Sequence, residues 1–116
     1  MPQPAGIPKV RNIFIRAYQT QKTLDKQAAE ALLSQIAQTL GYTILKKASH
    51  AFSPGGVTAF LLLSESHISL HTWPESGFAT IEMVTCKPFG KPELLVMVNY
   101  IKAALLPKRV RPILTL

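Results

Sequence analysis

The sequence predicts an α+β protein, a mainly antiparallel β-sheet with two helices on one face. Six runs rich in β-forming residues are broken by two stretches of helical periodicity, in the order β-α-β-β-β-β-α-β. Four strands follow one another through short connections, which suits antiparallel neighbours. The 116 residues, 47% of them hydrophobic, suffice for one domain with one core.

Residues 1–9 carry Pro2, Pro4, Gly6 and Pro8 and read as a flexible tail. Ile13, Ile15 and Ala17 alternate with Asn12, Phe14 and Arg16, a strand pattern. Thr23 is the expected N-cap of a helix from Leu24 to Leu40, with Asp25 in its first turn and Gly41 as its stop. Leu24, Ala28, Ala31, Leu32, Gln35 and Ile36 form its expected inward stripe. Tyr42 to His50 is a second strand, closed by a Ser53-Pro54-Gly55-Gly56 turn. Val57 to Leu63 is a continuous apolar run, the pattern of a buried strand. Ile68–Trp73 and Ala79–Cys86 are two more strands, joined through Pro74-Glu75-Ser76-Gly77. Pro92 suits the first position of a second helix reaching Leu106, with Leu94, Leu95, Val98, Ile101, Lys102 and Leu105 on one stripe. Arg109 to Leu114 is a last edge strand, a place that tolerates Pro112. No element remains to cover the other face of the sheet, so a dimer packing sheet on sheet is expected.

Composition removes several function classes. The 13 Lys and Arg against 6 Asp and Glu give a net charge of +7, which first suggests nucleic acid. Yet the basic residues are scattered, and no helix-turn-helix, zinc-finger or RNP-type pattern accompanies them. No apolar stretch approaches the roughly 20 residues of a membrane span, and the first twelve residues lack the apolar segment of a secretory signal. The single Cys86 forbids an internal disulfide and fits a reducing, cytoplasmic setting. His67 and His71 are spaced for a helical metal site, but on a strand their rings stand about 13 Å apart. With no C-x-x-C pair beside them, no metal is expected.

Polar groups crowd one short stretch: Ser64, Glu65, Ser66, His67 and His71, with Trp73, Glu75 and Cys86 following. Taken singly, each has a plain role. Cys86 reads as a small buried hydrophobe, Trp73 as core and His67 as a solvent-facing strand residue. Taken together, the string from Ser64 to Glu75 (SESHISLHTWPE), with Thr85-Cys86 spaced beyond it, resembles the prokaryotic S-adenosylmethionine decarboxylases. These are small pyruvoyl enzymes of polyamine synthesis. Phe52, the Pro54-Gly55-Gly56-Val57 turn and Thr58 also fit, so the resemblance is strong from Phe52 to Cys86.

The resemblance implies a cofactor made from the chain's own backbone, with no metal and no pyridoxal phosphate. Ser66 would attack the carbonyl of Glu65, and the ester so formed would eliminate to leave a pyruvoyl group at position 66. The chain would then exist as residues 1–65 and 66–116. By the same resemblance His71 moves a proton in this processing, and Thr58 stands where the family usually has serine, keeping a hydroxyl that supports it. In catalysis the substrate amine would form a Schiff base with the pyruvoyl group, and Cys86 would be the general acid that protonates the substrate carbon. Phe52 and Trp73 match aromatic positions beside the adenine, and Glu75 a carboxylate on the ribose. A homodimer with sites near its interface is implied as well.

The chain departs from the family pattern near its start. Val10-Arg11-Asn12 replaces a Gly-basic-His pattern, Arg16 lies roughly where an acid is usual, and Lys87 follows Cys86 where glycine is common. These departures leave the self-processing residues intact and bear on the substrate. A pyruvoyl-dependent arginine or ornithine decarboxylase on the same scaffold is therefore the alternative. A non-catalytic regulatory paralogue fits less well, because Ser66, His71 and Cys86 are all kept.

Overall fold

The computed structural model describes residues 6–115, so positions 1–5 of the expected tail lie outside the described residues. The elements are β1 (Arg11–Tyr18), α1 (Lys26–Thr39), β2 (Ile44–Ala51), β3 (Val57–Leu63), β4 (Ser66–Trp73), β5 (Phe78–Thr85), α2 (Lys91–Leu105) and β6 (Arg109–Thr115). One turn of 3-10 helix, Pro74–Ser76, links β4 to β5. The order is the expected one.

All six strands form one antiparallel sheet in the order β2-β3-β4-β5-β1-β6. The strands from β2 to β5 meander, each beside the next. β1 does not sit beside β2. It lies between β5 and β6, and α1 carries the chain across the sheet to the far edge, where β2 begins. β6 pairs along β1 as an edge strand, with Pro112 opposite Ile15.

Period-two alternation decides which face each residue meets. Ile13, Ile15 and Ala17 of β1, Ala59, Leu61 and Leu63 of β3, Ile68 and Leu70 of β4, and Ala79, Ile81 and Met83 of β5 are buried toward the helices. Burying one such large side chain stabilises by roughly 1.5–3 kcal/mol. A one-residue slip would turn the whole set outward, which fixes the register.

Both helices lie on that face and differ from the sequence expectation at their edges. Asp25, not Thr23, is the N-cap of α1: its carboxylate accepts the Ala28 N–H at 2.7 Å. Leu24 is therefore outside the helix, and the inward stripe is Ala29, Leu32, Leu33, Ile36 and Ala37, while Ala31 and Gln35 face out. The cap shifts the start by two residues, and the apolar set at i, i+3, i+4, i+7 and i+8 follows it. In α2 the buried residues are Met97, Val98, Ile101 and Leu105, while Leu95 and Lys102 are exposed. Glu93 closes its first turn by accepting the Gly90 N–H at 2.7 Å.

Among the described residues no helix covers the other face of the sheet. Phe60, Leu62 and Trp73 expose 39%, 40% and 41% of their surface there, and Phe14, Tyr18, Phe78 and Val84 are half-buried on it. Among the described residues no helix is long and apolar enough to cross a membrane.

Candidate active site

The sequence-predicted residues fall into two clusters at opposite ends of β4. The first is the β3–β4 hairpin. Leu63 pairs with Ser66, leaving only Ser64 and Glu65 in the turn. The Ser64 N–H donates to the Thr43 carbonyl at 3.0 Å, which ties the turn to the start of β2. Glu65 has φ of 59°, a left-handed conformation that favours glycine or asparagine. Holding another residue there costs roughly 1–2 kcal/mol. The strain lies on the residue whose carbonyl precedes Ser66.

Cys86, half-buried just past the end of β5, comes to this turn. Its thiol lies 3.6 Å from the Glu65 carbonyl oxygen and 3.8 Å from the Glu65 carboxylate. Ser66 begins β4 opposite Thr85, with its side chain on the helix face. The Ser66 hydroxyl donates to Thr85 Oγ1 at 3.1 Å. Thr85 in turn is 2.6 Å from the Tyr42 hydroxyl and accepts the Lys87 N–H at 3.1 Å. Burial raises the Tyr42 phenol above its ordinary pKa, although the Thr85 hydrogen bond opposes this, so it stays protonated at neutral pH.

The second cluster occupies the far end of β4, on the helix-free face. Thr58 and His71 face each other in register, with Thr58 Oγ1 3.0 Å from His71 Nδ1. The His71 and Trp73 rings are 6.0 Å apart, and Trp73 continues to Phe78 at 5.5 Å. A cavity of about 290 Å³ opens beside them, lined by Phe52, Gly55, Gly56, Thr58, His71 and Trp73. Glu75 is exposed on the 3-10 turn after Trp73 and does not line this cavity. Arg16 sits in the same cross-strand row, opposite Thr80, which is itself opposite His71.

Gly56 holds the cavity's loop. Its φ is 100°, and a Cβ there would stand 2.8 Å from the Thr72 carbonyl oxygen. Its own carbonyl accepts the Phe52 N–H at 2.9 Å, and the next N–H, of Val57, donates to Thr72 Oγ1 at 2.9 Å. Gly56→Ala should therefore lower unfolding stability by about 1–3 kcal/mol, seen as a lower chemical-denaturation midpoint. An unchanged midpoint would contradict the close approach.

Ser66 and His71 are not brought together within one chain. They are five positions apart along β4, about 17 Å at strand rise, and the odd spacing puts them on opposite faces. Cys86 and His71 do not meet either, because His71 pairs with Thr80 and Cys86 lies beyond Thr85. Among the described residues no group of three His, Cys, Asp or Glu is placed to hold a metal ion. Sequence reasoning gave Tyr42 and Thr85 no role. A hint was available: Thr85 is a hydroxyl at an inward position of a strand whose other inward residues are Ala79, Ile81 and Met83.

Fold and site define a class: one antiparallel sheet backed by helices on a single side, with a strained Glu-Ser hairpin under a thiol and an aromatic cavity on the bare face. The S-adenosylmethionine decarboxylase family model matches residues 11–113, and the chain belongs to that family. The S-adenosylmethionine decarboxylase proenzyme of Methanococcus maripaludis is 43% identical over 75 residues, 65% of this chain and 62% of that protein. The proenzyme of Pyrobaculum neutrophilum is 35% identical over 103 residues, 86% of this chain and 82% of that one. The matched part thus spans a little under two thirds of the first of these relatives and most of the second. Among solved structures, the adenosylmethionine decarboxylase from Aquifex aeolicus VF5 superimposes with a TM-score of 0.76 at 30% identity, covering 93% of this chain and 89% of that one.

Proposed function

We propose that this chain is a pyruvoyl-dependent decarboxylase of polyamine biosynthesis, acting on S-adenosylmethionine and maturing by cleavage between Glu65 and Ser66. The observation that carries this is the Glu65–Ser66 turn, in a chain of this family: a left-handed Glu65 whose carbonyl oxygen lies 3.6 Å from the Cys86 thiol.

The chemistry needs no oxidant. Ser66 Oγ bonds to the Glu65 carbonyl carbon, the Glu65–Ser66 C–N bond breaks, and the hydroxyl proton ends on the Ser66 nitrogen. Relief of strain at Glu65 favours this shift, and a thiol donating to the carbonyl oxygen stabilises the charge that develops there. A base then takes the Ser66 Cα proton, the Cβ–Oγ bond breaks, and Glu65 leaves as a carboxylate. Water replaces the freed nitrogen, which departs as ammonia. The residues present suit the product, because Ser66 heads a strand and its new end stays anchored by the β4 ladder.

The pyruvoyl group supplies an electrophilic carbonyl and an electron sink when carbon dioxide leaves. Cys86, with its thiol beside the Glu65–Ser66 turn, is the group we assign to deliver the proton to the substrate carbon. His71, with Thr58 on its Nδ1, is the proton carrier for processing. Since His71 stands at the wrong end of β4 for its own Ser66, we assign it to the Ser66 of a second copy. A two-fold axis passing near Ser69, stacking two bare sheet faces about 10 Å apart, would set the His71 end of one β4 over the Glu65–Ser66 backbone of the other, whose Ser66 side chain lies on the helix side. The same packing covers Phe60, Leu62 and Trp73. Phe52 and Trp73 offer flat faces to adenine and to a sulfonium, and Glu75 is left to the ribose hydroxyls. One unpaired cysteine suits a cytoplasmic protein.

The test is a panel of carboxyl-labelled substrates given to cleaved protein. Labelled carbon dioxide is expected from S-adenosylmethionine and not from arginine or ornithine. Release from either amino acid with none from S-adenosylmethionine would overturn the substrate assignment, and release from none would overturn the enzyme.

A further inference from the structure

We propose that Thr85, held by Tyr42, orients the Ser66 hydroxyl for its attack on Glu65 and so sets the rate of self-cleavage; this rests on the self-processing proposed above.

Thr85 Oγ1 is almost wholly enclosed, the residue being 1% exposed, and it has three partners: Lys87 N–H at 3.1 Å, Ser66 Oγ at 3.1 Å and Tyr42 Oη at 2.6 Å. A hydroxyl has one hydrogen and two lone pairs, so three partners saturate it. The Lys87 amide can only donate and takes one lone pair. With Ser66 donating to the second, the Thr85 hydrogen must go to Tyr42. The hydrogens of Ser66 and Thr85 then each have one place. The Ser66 hydrogen points at Thr85, away from the hairpin, and both Ser66 lone pairs stay unengaged. The reverse order, with Tyr42 donating to Thr85 and Thr85 to Ser66, would occupy one of the two Ser66 lone pairs and leave the Ser66 hydrogen without this acceptor.

Tyr42 is fixed from several sides. Its N–H donates to the Ala37 carbonyl at 2.9 Å. The Lys87 ammonium sits 4.5 Å above its ring and donates to the Gly41 carbonyl at 3.1 Å. The phenol remains neutral, so it sets direction and does not remove the proton.

The alternative is that the three hydroxyls merely satisfy one another in a buried spot. Freshly translated full-length precursors would separate the two, with appearance of the 66–116 fragment timed by mass spectrometry and melting measured on the same material. Thr85→Val should slow cleavage about tenfold or more, the effect of one lost orienting hydrogen bond. Thr85→Ser, which restores the hydroxyl, should return the rate to within about threefold, and Tyr42→Phe should slow it severalfold. These rates should not follow the melting temperatures. Cleavage of Thr85→Val at the wild-type rate, or of Thr85→Ser as slowly as Thr85→Val, would overturn the proposal while wild-type cleavage leaves self-processing standing. Failure of the wild type to cleave would sink self-processing itself, and this inference with it. If Thr85→Val does not fold, Tyr42→Phe decides: slowed cleavage with intact melting supports the role, and a wild-type rate overturns it.

Discussion

Ser66→Ala should leave the chain whole. The wild type is expected to yield residues 1–65 and 66–116, with the second fragment lacking a free α-amine, whereas the variant should persist as a single 12.8 kDa species. The substitution removes the oxygen that serves first as nucleophile and then as leaving group, so no slower route remains. It should barely disturb the fold. Ser66 is half-buried, and the one hydrogen bond it loses, to Thr85, is worth about 1 kcal/mol. Thr85 keeps the Tyr42 hydroxyl and the Lys87 amide. Mass spectrometry of both proteins under denaturing conditions decides the matter. A wild-type chain that stays intact through long incubation, or a Ser66→Ala chain that breaks at the same bond, would remove the basis of the proposed chemistry.

His71→Ala should also stay uncleaved alone, yet be rescued by a partner that is itself uncleavable. Mixed with Ser66→Ala in one cell, a His71→Ala chain can receive His71 from the other protomer and offer its own Ser66. Random pairing puts about half of the His71→Ala chains in such mixed dimers, so about half should appear as fragments and the rest should not. The prediction follows from the roughly 17 Å of strand between the two residues. If His71 served its own Ser66, mixing would change nothing. Absence of fragments from the mixture, with both variants folded, would rule out the shared site.

Much of the fold was legible because it is local. The alternation Ile13, Ile15, Ala17 states a strand wherever that strand finally sits, and Gly41 stops α1 because its φ of 81° follows from the missing Cβ. The motif from Ser64 to Glu75 named the residues of interest for the same reason. The boundary of β4 was less legible. Starting it at Ile68 left Ser66 in a loop; starting it at Ser66, where Leu63 pairs with it, makes the five-residue spacing to His71 an opposite-face relation. That parity was in the sequence, but only a known strand start makes it readable.

By itself the sequence determined the six strands and the two helices, since each depends on residues within a few positions of one another, and it singled out Glu65, Ser66, His71 and Cys86 as candidates. Tertiary structure alone decided that β1 lies between β5 and β6, that Cys86 reaches the Glu65 carbonyl, that Thr85 meets Tyr42 across 43 positions, and that His71 is out of reach of its own Ser66. The physical reason is that strand order and long-range contact are settled by which faces can be buried together, a property of the whole sheet that no local pattern encodes.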